Sequence, residues 1–157
     1  MRASVRTHVL FVEPDVAGAS SLRREFGHEV ALDTCSEFSN ARGKLLANTY
    51  QFVVTNLRVR EYNGLHLIYL IHAAGMATRA IVYTDSRDRA LAQDVQRAGA
   101  FYELRERLPY VLRGYFNAAL PAADRRDAAI TDRRGLFRGG RRSSDIVMLS
   151  SMRQGSV

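Results

Sequence analysis

The stretch FVVTNLRVREYNGL, residues 52–65, begins with four apolar or β-branched residues and turns polar at Asn56. Short runs of this kind are typical of strands that are buried on both faces of a parallel sheet. Similar runs recur along the chain as VLFV (9–12), EVAL (29–32), AIVY (80–83) and FYEL (101–104). Because longer amphipathic segments separate the runs, the pattern predicts βα units on one parallel sheet.

The segments between the runs predict five helices, at residues 16–26, 37–48, 64–75, 87–98 and 108–119. Gly27 and Gly75 stand where helix C-termini favour a left-handed residue, and Ser36 and Ser86 stand where N-caps accept backbone N–H bonds. We therefore expect one α/β domain with five strands and five helices.

The positive charge of the chain is unevenly divided. The 157 residues carry a net charge of +7, which by itself suggests a nucleic-acid-binding protein. Residues 121–157 contain eight Arg and four Asp, a balance of +4, which leaves +3 for residues 1–120. Since no apolar periodicity continues after Pro121, we expect a domain over residues 7–120 and a basic, Arg/Gly-rich, largely disordered tail over residues 121–157.

Composition excludes several classes of protein. Hydrophobic residues make up 46% of the chain, enough for a core, so disorder throughout is excluded. Cys35 is the single cysteine, which excludes an internal disulfide and a cysteine-based zinc site. Neither an export signal nor a run of about 20 apolar residues occurs, so we expect a cytoplasmic protein without a membrane span.

Polar landmarks follow the apolar runs at the edge where open α/β sheets bind ligands. They are Glu13-Pro14-Asp15, Asn56, Thr84 and Arg105-Glu106, together with NGL at 63–65 and AGA at 98–100. In this order and spacing, residues 8–118 resemble a response-regulator receiver domain. The resemblance implies a doubly wound, flavodoxin-like (βα)5 fold with a five-stranded parallel sheet.

The resemblance also implies a site. In that family an acidic pair after the first strand holds Mg²⁺, and an Asp after the third strand accepts a phosphoryl group. A Thr or Ser after the fourth strand senses the phosphoryl group, and a Lys after the fifth strand pairs with it. This chain has Asn56 at the acceptor position, and an amide is a poor nucleophile that brings no charge to a metal.

The other positions of the site are also altered. Glu13 matches the first acid, but Pro14 replaces the second, with Asp15 as a partial substitute. Thr84 matches the sensing hydroxyl, and either Arg105 or Glu106 reaches the lysine position, depending on a one-residue gap. The resemblance therefore implies a degenerate, pseudo-receiver pocket without a metal site or cofactor, although weak Mg²⁺ binding at Glu13 and Asp15 stays open.

Some residues allow two interpretations. Asn56 either satisfies backbone groups of its own loop or bonds Thr84 and fixes the switch in one conformation. Cys35 is either inert or activated by a following helix. His66 and His72 are six residues apart, which is the wrong spacing for a metal pair on one helix face, so we expect packing or surface roles.

Two surfaces are candidate partner contacts. In the resembling family the face made by the fourth helix, fifth strand and fifth helix docks partners or a second copy. Here that face is rich in Arg and Tyr, types enriched at interface hot spots: Arg97, Arg107, Tyr110 and Arg113, with Arg87, Asp88 and Tyr115 nearby. The tail supplies candidate polyanion contacts at Arg133, Arg134, Phe137, Arg138, Arg141 and Arg142.

The sequence therefore predicts a binding protein rather than an enzyme. We interpret it as a stand-alone pseudo-receiver that acts as a phosphorylation-independent adaptor in bacterial two-component-type regulation, with a signalling kinase, a regulator or a second copy as its partner. Two alternatives stay open: a divergent phosphorelay receiver that uses Asp15 or Asp85 as acceptor, and a regulator whose basic tail binds nucleic acid while the domain dimerises.

Overall fold

The computed structural model describes residues 6–118, so the predicted tail, residues 121–157, lies outside the described residues. The strands are β1 (His8–Val12), β2 (Ala31–Cys35), β3 (Phe52–Asn56), β4 (Arg58–Val59), β5 (Tyr62–Asn63), β6 (Arg79–Thr84) and β7 (Phe101–Leu104). The helices are α1 (Val16–Phe26), α2 (Phe38–Ala47), α3 (Leu65–Ala73), α4 (Arg89–Arg97) and α5 (Leu108–Asn117), with a short 3₁₀ turn at Arg105–Arg107.

Five strands form one parallel sheet in the order β2-β1-β3-β6-β7. The expected five-stranded α/β fold is thereby confirmed. All five residues of β3 are buried, as a strand covered on both faces requires. The sheet reverses its winding at β1 and β3, so a crevice opens beyond their carboxyl ends.

Two apolar clusters cover the faces of the sheet. One packs α2, α3 and α4 against Leu10, Val53 and Val82, and the other packs α1 and α5 against Phe11 and Val54. Neighbouring residues of one strand thus enter opposite clusters, which is the period of two that a strand imposes. Among residues 6–118, no helix is long and apolar enough to cross a membrane.

The connection between β3 and α3 contains a small antiparallel hairpin, β4–β5, that the sequence did not predict. Arg60 in its turn has a φ of 54°, a left-handed conformation that is uncommon for a side-chain-bearing residue. Gly64 closes the connection, because its N–H donates to Leu57 O at 2.7 Å and a Cβ there would lie 2.3 Å from Asn56 O. Glycine is required at this position for close backbone approach.

The predicted boundaries of β2 were wrong. Residues 29–32 were expected, but the strand begins at Ala31 and ends at Cys35. The N–H groups of Glu29 and Val30 donate to Phe26 O, which closes a turn after α1 and delays the strand.

Two of the four predicted helix caps were wrong, and a third, Gly27, is the C-cap of α1 but without the expected conformation. Gly75 has the expected left-handed φ of 63°, whereas Gly27 is right-handed with a φ of −61°. The N-caps are Glu37 and Asp88 rather than the preceding serines, Ser36 and Ser86. Asp88 is the stronger cap because its carboxylate accepts from two N–H groups of the first turn of α4.

Candidate functional site

The carboxyl ends of β1, β3, β6 and β7 bring the predicted pocket residues to one edge of the sheet. Glu13, directly after β1, is the most deeply buried acid there, with 1% of its surface exposed. Its Oε2 accepts a hydrogen bond from the Tyr83 hydroxyl at 2.5 Å, and its Oε1 accepts one from the Asp15 N–H at 2.9 Å. A buried carboxylate needs such donors and a counter-charge.

Arg105 provides that counter-charge. Its Nη1 donates to Glu13 Oε2 at 2.6 Å, its Nη2 reaches Glu13 Oε1 at 3.3 Å, and its Nε donates to Asp85. The guanidinium carbon also lies 5.4 Å from the centre of the Tyr83 ring. One side chain from the 3₁₀ turn directly after β7 therefore joins the ends of β1 and β6 through charge-assisted hydrogen bonds.

The pKa directions agree with this arrangement. Burial raises the pKa of Tyr83 above its usual range, and the hydrogen bond to Glu13 adds to the effect, so the phenol stays protonated and donates. Partial burial works to lower the pKa of Arg105, but the hydrogen bonds to Asp85 and Glu13 outweigh it and the pKa is raised. Arg105 is therefore a permanent cation in this cluster.

The two candidates for the lysine position have different surroundings. Arg105 enters the pocket, whereas Glu106 lies exposed in the 3₁₀ turn that follows β7. The guanidinium of Arg105 is planar and contacts two carboxylates, those of Glu13 and Asp85.

Asp15 and Pro14 do not complete a metal site with Glu13. Asp15 caps α1, and its two carboxylate oxygens accept from the N–H groups of Ala17 and Gly18 at 3.2 and 3.1 Å. Within residues 6–118, no group of three His, Cys, Asp or Glu side chains is placed to hold a metal ion. The oxygens of Glu13 that a hard cation would use are engaged by Arg105, Tyr83 and the Asp15 backbone.

Asn56 and Thr84 lie at the ends of adjacent strands but have different partners. The Asn56 Oδ1 accepts from the N–H of Arg58 at 2.9 Å, which is the loop-satisfying role of the two proposed for it. Thr84 Oγ1 donates to Ser86 O at 2.9 Å and lies 2.7 Å from the Tyr102 hydroxyl. Thr84 is thus joined to β7 and to the β6–α4 loop.

The remaining candidate residues have structural surroundings. Cys35 lies at the end of β2, and burial raises the pKa of its thiol to about 11, which favours the inert interpretation. His72 Nε2 lies 2.8 Å from Ala98 O, and the His66 ring meets the Phe38 ring edge to face. Both histidines are exposed on α3.

The four residues of the candidate partner face have different surroundings in the structure. Arg107 and Tyr110 are exposed, Tyr110 to 85%, and Arg97 is exposed beside Asp94 at 3.5 Å. The Arg113 guanidinium instead donates hydrogen bonds to the Glu29 carboxylate and lies over the Phe26 ring of α1. Of these four candidates only Arg113 is thus engaged by another element, and the interface itself stays a prediction.

Sequence reasoning missed two members of the site, Tyr83 and Tyr102. Tyr83 is the last residue of the apolar run AIVY, where a phenol among aliphatic residues indicates a buried hydrogen-bond donor. Tyr102 stands next to Phe101 in FYEL, and nothing local marks which of the two rings turns toward Thr84.

No protein-family model matches this chain, and no curated protein matches its sequence. Solved structures do match. A signal receiver domain of an HD-domain-containing protein from Pseudomonas fluorescens aligns with a TM-score of 0.63 and 18% identity, covering 74% of this chain and 90% of that one.

Two further structures agree with it. A chemotaxis protein of Vibrio cholerae aligns with a TM-score of 0.66 and 13% identity, covering 73% of this chain and 99% of that one. A two-component response regulator from Clostridium difficile aligns with a TM-score of 0.63 and 15% identity, covering 71% and 95%. The described domain therefore has the fold of response-regulator receiver domains.

Proposed function

We propose that this receiver-fold chain is a phosphorylation-independent adaptor of two-component-type signalling in the cytoplasm, which binds a protein partner and catalyses no reaction. The observation that carries the proposal is the Arg105 guanidinium bound between Glu13 and Asp85. It neutralises the buried carboxylate from within the chain, where a phosphorylatable pocket would need a divalent cation.

The residue at the acceptor position supports the same conclusion. Phosphoryl transfer to a receiver needs a carboxylate nucleophile, and Asn56 offers an amide that is already engaged by its own loop. No acylphosphate forms on an amide by that route. Asn56 therefore supplies no nucleophile, and Arg105 supplies the buried Glu13 with a cation from within the chain.

The two alternative acceptors are less suited to phosphorylation. Both carboxylate oxygens of Asp15 are engaged by N–H groups of α1, so attack on phosphorus would uncap that helix. Asp85 is 74% exposed, but it is paired with Arg105 and lies outside the buried pocket. The phosphorelay alternative therefore has no free, correctly buried carboxylate among the described residues.

A protein that does not switch by phosphorylation acts through its surface. Arg97, Arg107 and Tyr110 offer exposed charge and one almost fully exposed aromatic ring on α4, the 3₁₀ turn and α5. Tyrosine and arginine are enriched among residues that dominate binding energy. We propose this face as the contact with a kinase, a regulator or a second copy.

The phosphorylation part of the proposal is tested with acetyl phosphate and Mg²⁺. Intact-protein mass spectrometry of the wild-type chain should show no added phosphoryl group, and amide NMR shifts around Glu13 and Asn56 should not respond to beryllofluoride. A receiver with an intact acceptor, treated in parallel, is the control for donor activity. Stoichiometric modification of the wild type at any carboxylate would refute the proposal.

The adaptor part is tested separately by photo-crosslinking in cells. A crosslinker at position 110 should trap a protein partner, and one at Arg24, which is exposed on α1, should not. Equal capture from both positions, or capture that appears only after phosphodonor treatment, would contradict a dedicated phosphorylation-independent contact face.

A further inference from the structure

A groove of about 240 Å³ lies between the start of α2 and the β4–β5 hairpin. Its lining includes two aromatic residues, Phe38 and Tyr62, and two acidic residues, Glu37 and Glu61. It shares no residue with the cluster around Glu13 and Arg105. The groove is therefore a separate surface feature that the function proposed above does not use.

The aromatic part of the groove consists of two stacked rings, one of which remains half exposed. The rings of Phe38 and Tyr62 stack with centroids 4.7 Å apart and planes 17° apart, and His66 meets Phe38 edge to face at 6.0 Å. Phe38 covers part of the Tyr62 ring, yet Tyr62 remains 50% exposed. An accessible aromatic surface of this kind attracts cations through the negative face of its π-system.

The hairpin wall is held in place before any partner arrives. Val59 in β4 is fully buried, and β4 pairs with β5 in a defined register. Gly64 N donates to Leu57 O at 2.7 Å and closes the connection from β3. Such preorganisation lowers the entropy lost when a ligand binds.

The two carboxylates of the groove have no partner among the residues that the structure describes. In the part of the chain that the structure describes, neither Glu37 nor Glu61 makes a side-chain hydrogen bond or an ion pair. Both are exposed, and Arg60 is the single cation among the described residues of the lining. The described lining residues therefore carry a formal charge of −1, with two carboxylates able to accept hydrogen bonds.

We propose that this groove binds an arginine side chain presented by a partner protein. A guanidinium is planar, so it can lie against Tyr62 while its N–H groups donate to Glu37 and Glu61. A lysine ammonium carries the same charge but neither stacks nor forms a fork, so the groove should prefer arginine. Arginine binding in this groove does not depend on whether any residue near Glu13 can be phosphorylated. The groove proposal and the adaptor proposal can therefore fail independently.

The test uses the full chain and three capped pentapeptides, Gly-Xaa-Gly-Xaa-Gly, in which Xaa is Arg, Lys or Gln. Amide NMR titration should give saturable shifts at residues 37–39 and 59–62 with the Arg peptide, at least about three-fold weaker binding with the Lys peptide, and none with the Gln peptide. Equal binding of the Lys or Gln peptide, shifts elsewhere, or no saturable shift with the Arg peptide would overturn the proposal.

Substitutions in the groove should change the affinity for the Arg peptide in opposite directions. Glu61→Gln should weaken binding of the Arg peptide by about three- to five-fold, and Tyr62→Ala by about three-fold. Arg60→Gln removes the like charge from the lining and should tighten binding by about two-fold. If Arg60→Gln weakens binding, or Glu61→Gln leaves it unchanged, the electrostatic basis of the proposal is wrong. An unchanged spectrum outside the groove checks that each variant is folded.

Discussion

Replacing Arg105 by alanine removes the cation that neutralises a buried acid. Glu13 is 1% exposed and would keep its hydrogen bonds from Tyr83 and the Asp15 N–H, but would lose both guanidinium contacts. Asp85 would also lose its partner, although its 74% exposure lets water replace Arg105. The destabilisation should therefore come almost entirely from Glu13.

The magnitude follows from burial. Removing one partner of a fully buried ion pair costs about 3–5 kcal/mol. The Arg105 side chain is 35% exposed, so water can enter the space it leaves and solvate Glu13 in part. With two donors retained, we expect Arg105→Ala to lower the free energy of unfolding by about 2–3 kcal/mol. Arg105→Lys keeps the charge but loses the fork and should cost about 1 kcal/mol.

Urea unfolding measured by circular dichroism gives both the free energy of unfolding and its slope with denaturant. Arg107→Ala is the matched control, since Arg107 is an exposed arginine in the same turn, and its effect should stay within about 0.5 kcal/mol. In a Glu13→Gln background, Arg105→Ala should cost less than about 1 kcal/mol, because no buried charge is left unpaired. An equal cost in both backgrounds, or a cost below about 0.5 kcal/mol in the wild type, would refute the reasoning.

Three further predictions concern other parts of the domain. Tyr50→Phe removes a 2.7 Å hydrogen bond that lowers the pKa of Asp33 from its usual 3.8, so it should cost about 1 kcal/mol near neutral pH. This stabilisation is present above the unfolded pKa and is lost as pH falls through the lower folded value, so the urea curves of variant and wild type should converge in acid; a constant difference would contradict the linkage. Gly64→Ala places a Cβ 2.3 Å from a carbonyl oxygen at the end of β3 and should cost at least about 2 kcal/mol, whereas Gly43→Ala in α2 meets nothing within 4 Å and should be neutral or stabilising by about 0.5–1 kcal/mol; equal thermal shifts in the two variants would be inconsistent with close backbone approach. The Cys35 thiol, with its pKa raised to about 11, should react with iodoacetamide at pH 8 at least about ten-fold more slowly than in the urea-unfolded chain, and equal rates would show that the thiol is accessible and that its pKa is not raised.

The fold was predictable because strand patterns are local. The run FVVT is apolar on both faces of a strand, and residues 52–56 are the fully buried centre of the sheet. The predicted caps at Ser36 and Ser86 were wrong, and Gly27 ends α1 without the left-handed φ expected of it. Cap geometry depends on a few competing hydrogen bonds rather than on a repeated pattern. Asp88 stands two residues after a serine and is the better acceptor for the first turn of α4.

The candidate site was also predictable only in part. Amino-acid order alone shows an amide at Asn56 and a proline at Pro14, the positions that the resemblance to receiver domains assigns to an acceptor carboxylate and a metal ligand. Side-chain chemistry of this kind does not depend on folding. That Arg105 rather than Glu106 enters the pocket is decided by the tertiary structure, since Glu13 and Arg105 are 92 positions apart and meet only when β1 and β7 join one sheet. The groove beside Tyr62 likewise exists only because the β4–β5 hairpin folds against the start of α2. This contact brings together two stacked rings and two carboxylates that have no partner among the described residues. The strength of an ion pair with a buried charge depends on the distance to its partner and on the loss of water around both groups. Both quantities are set by how the chain packs.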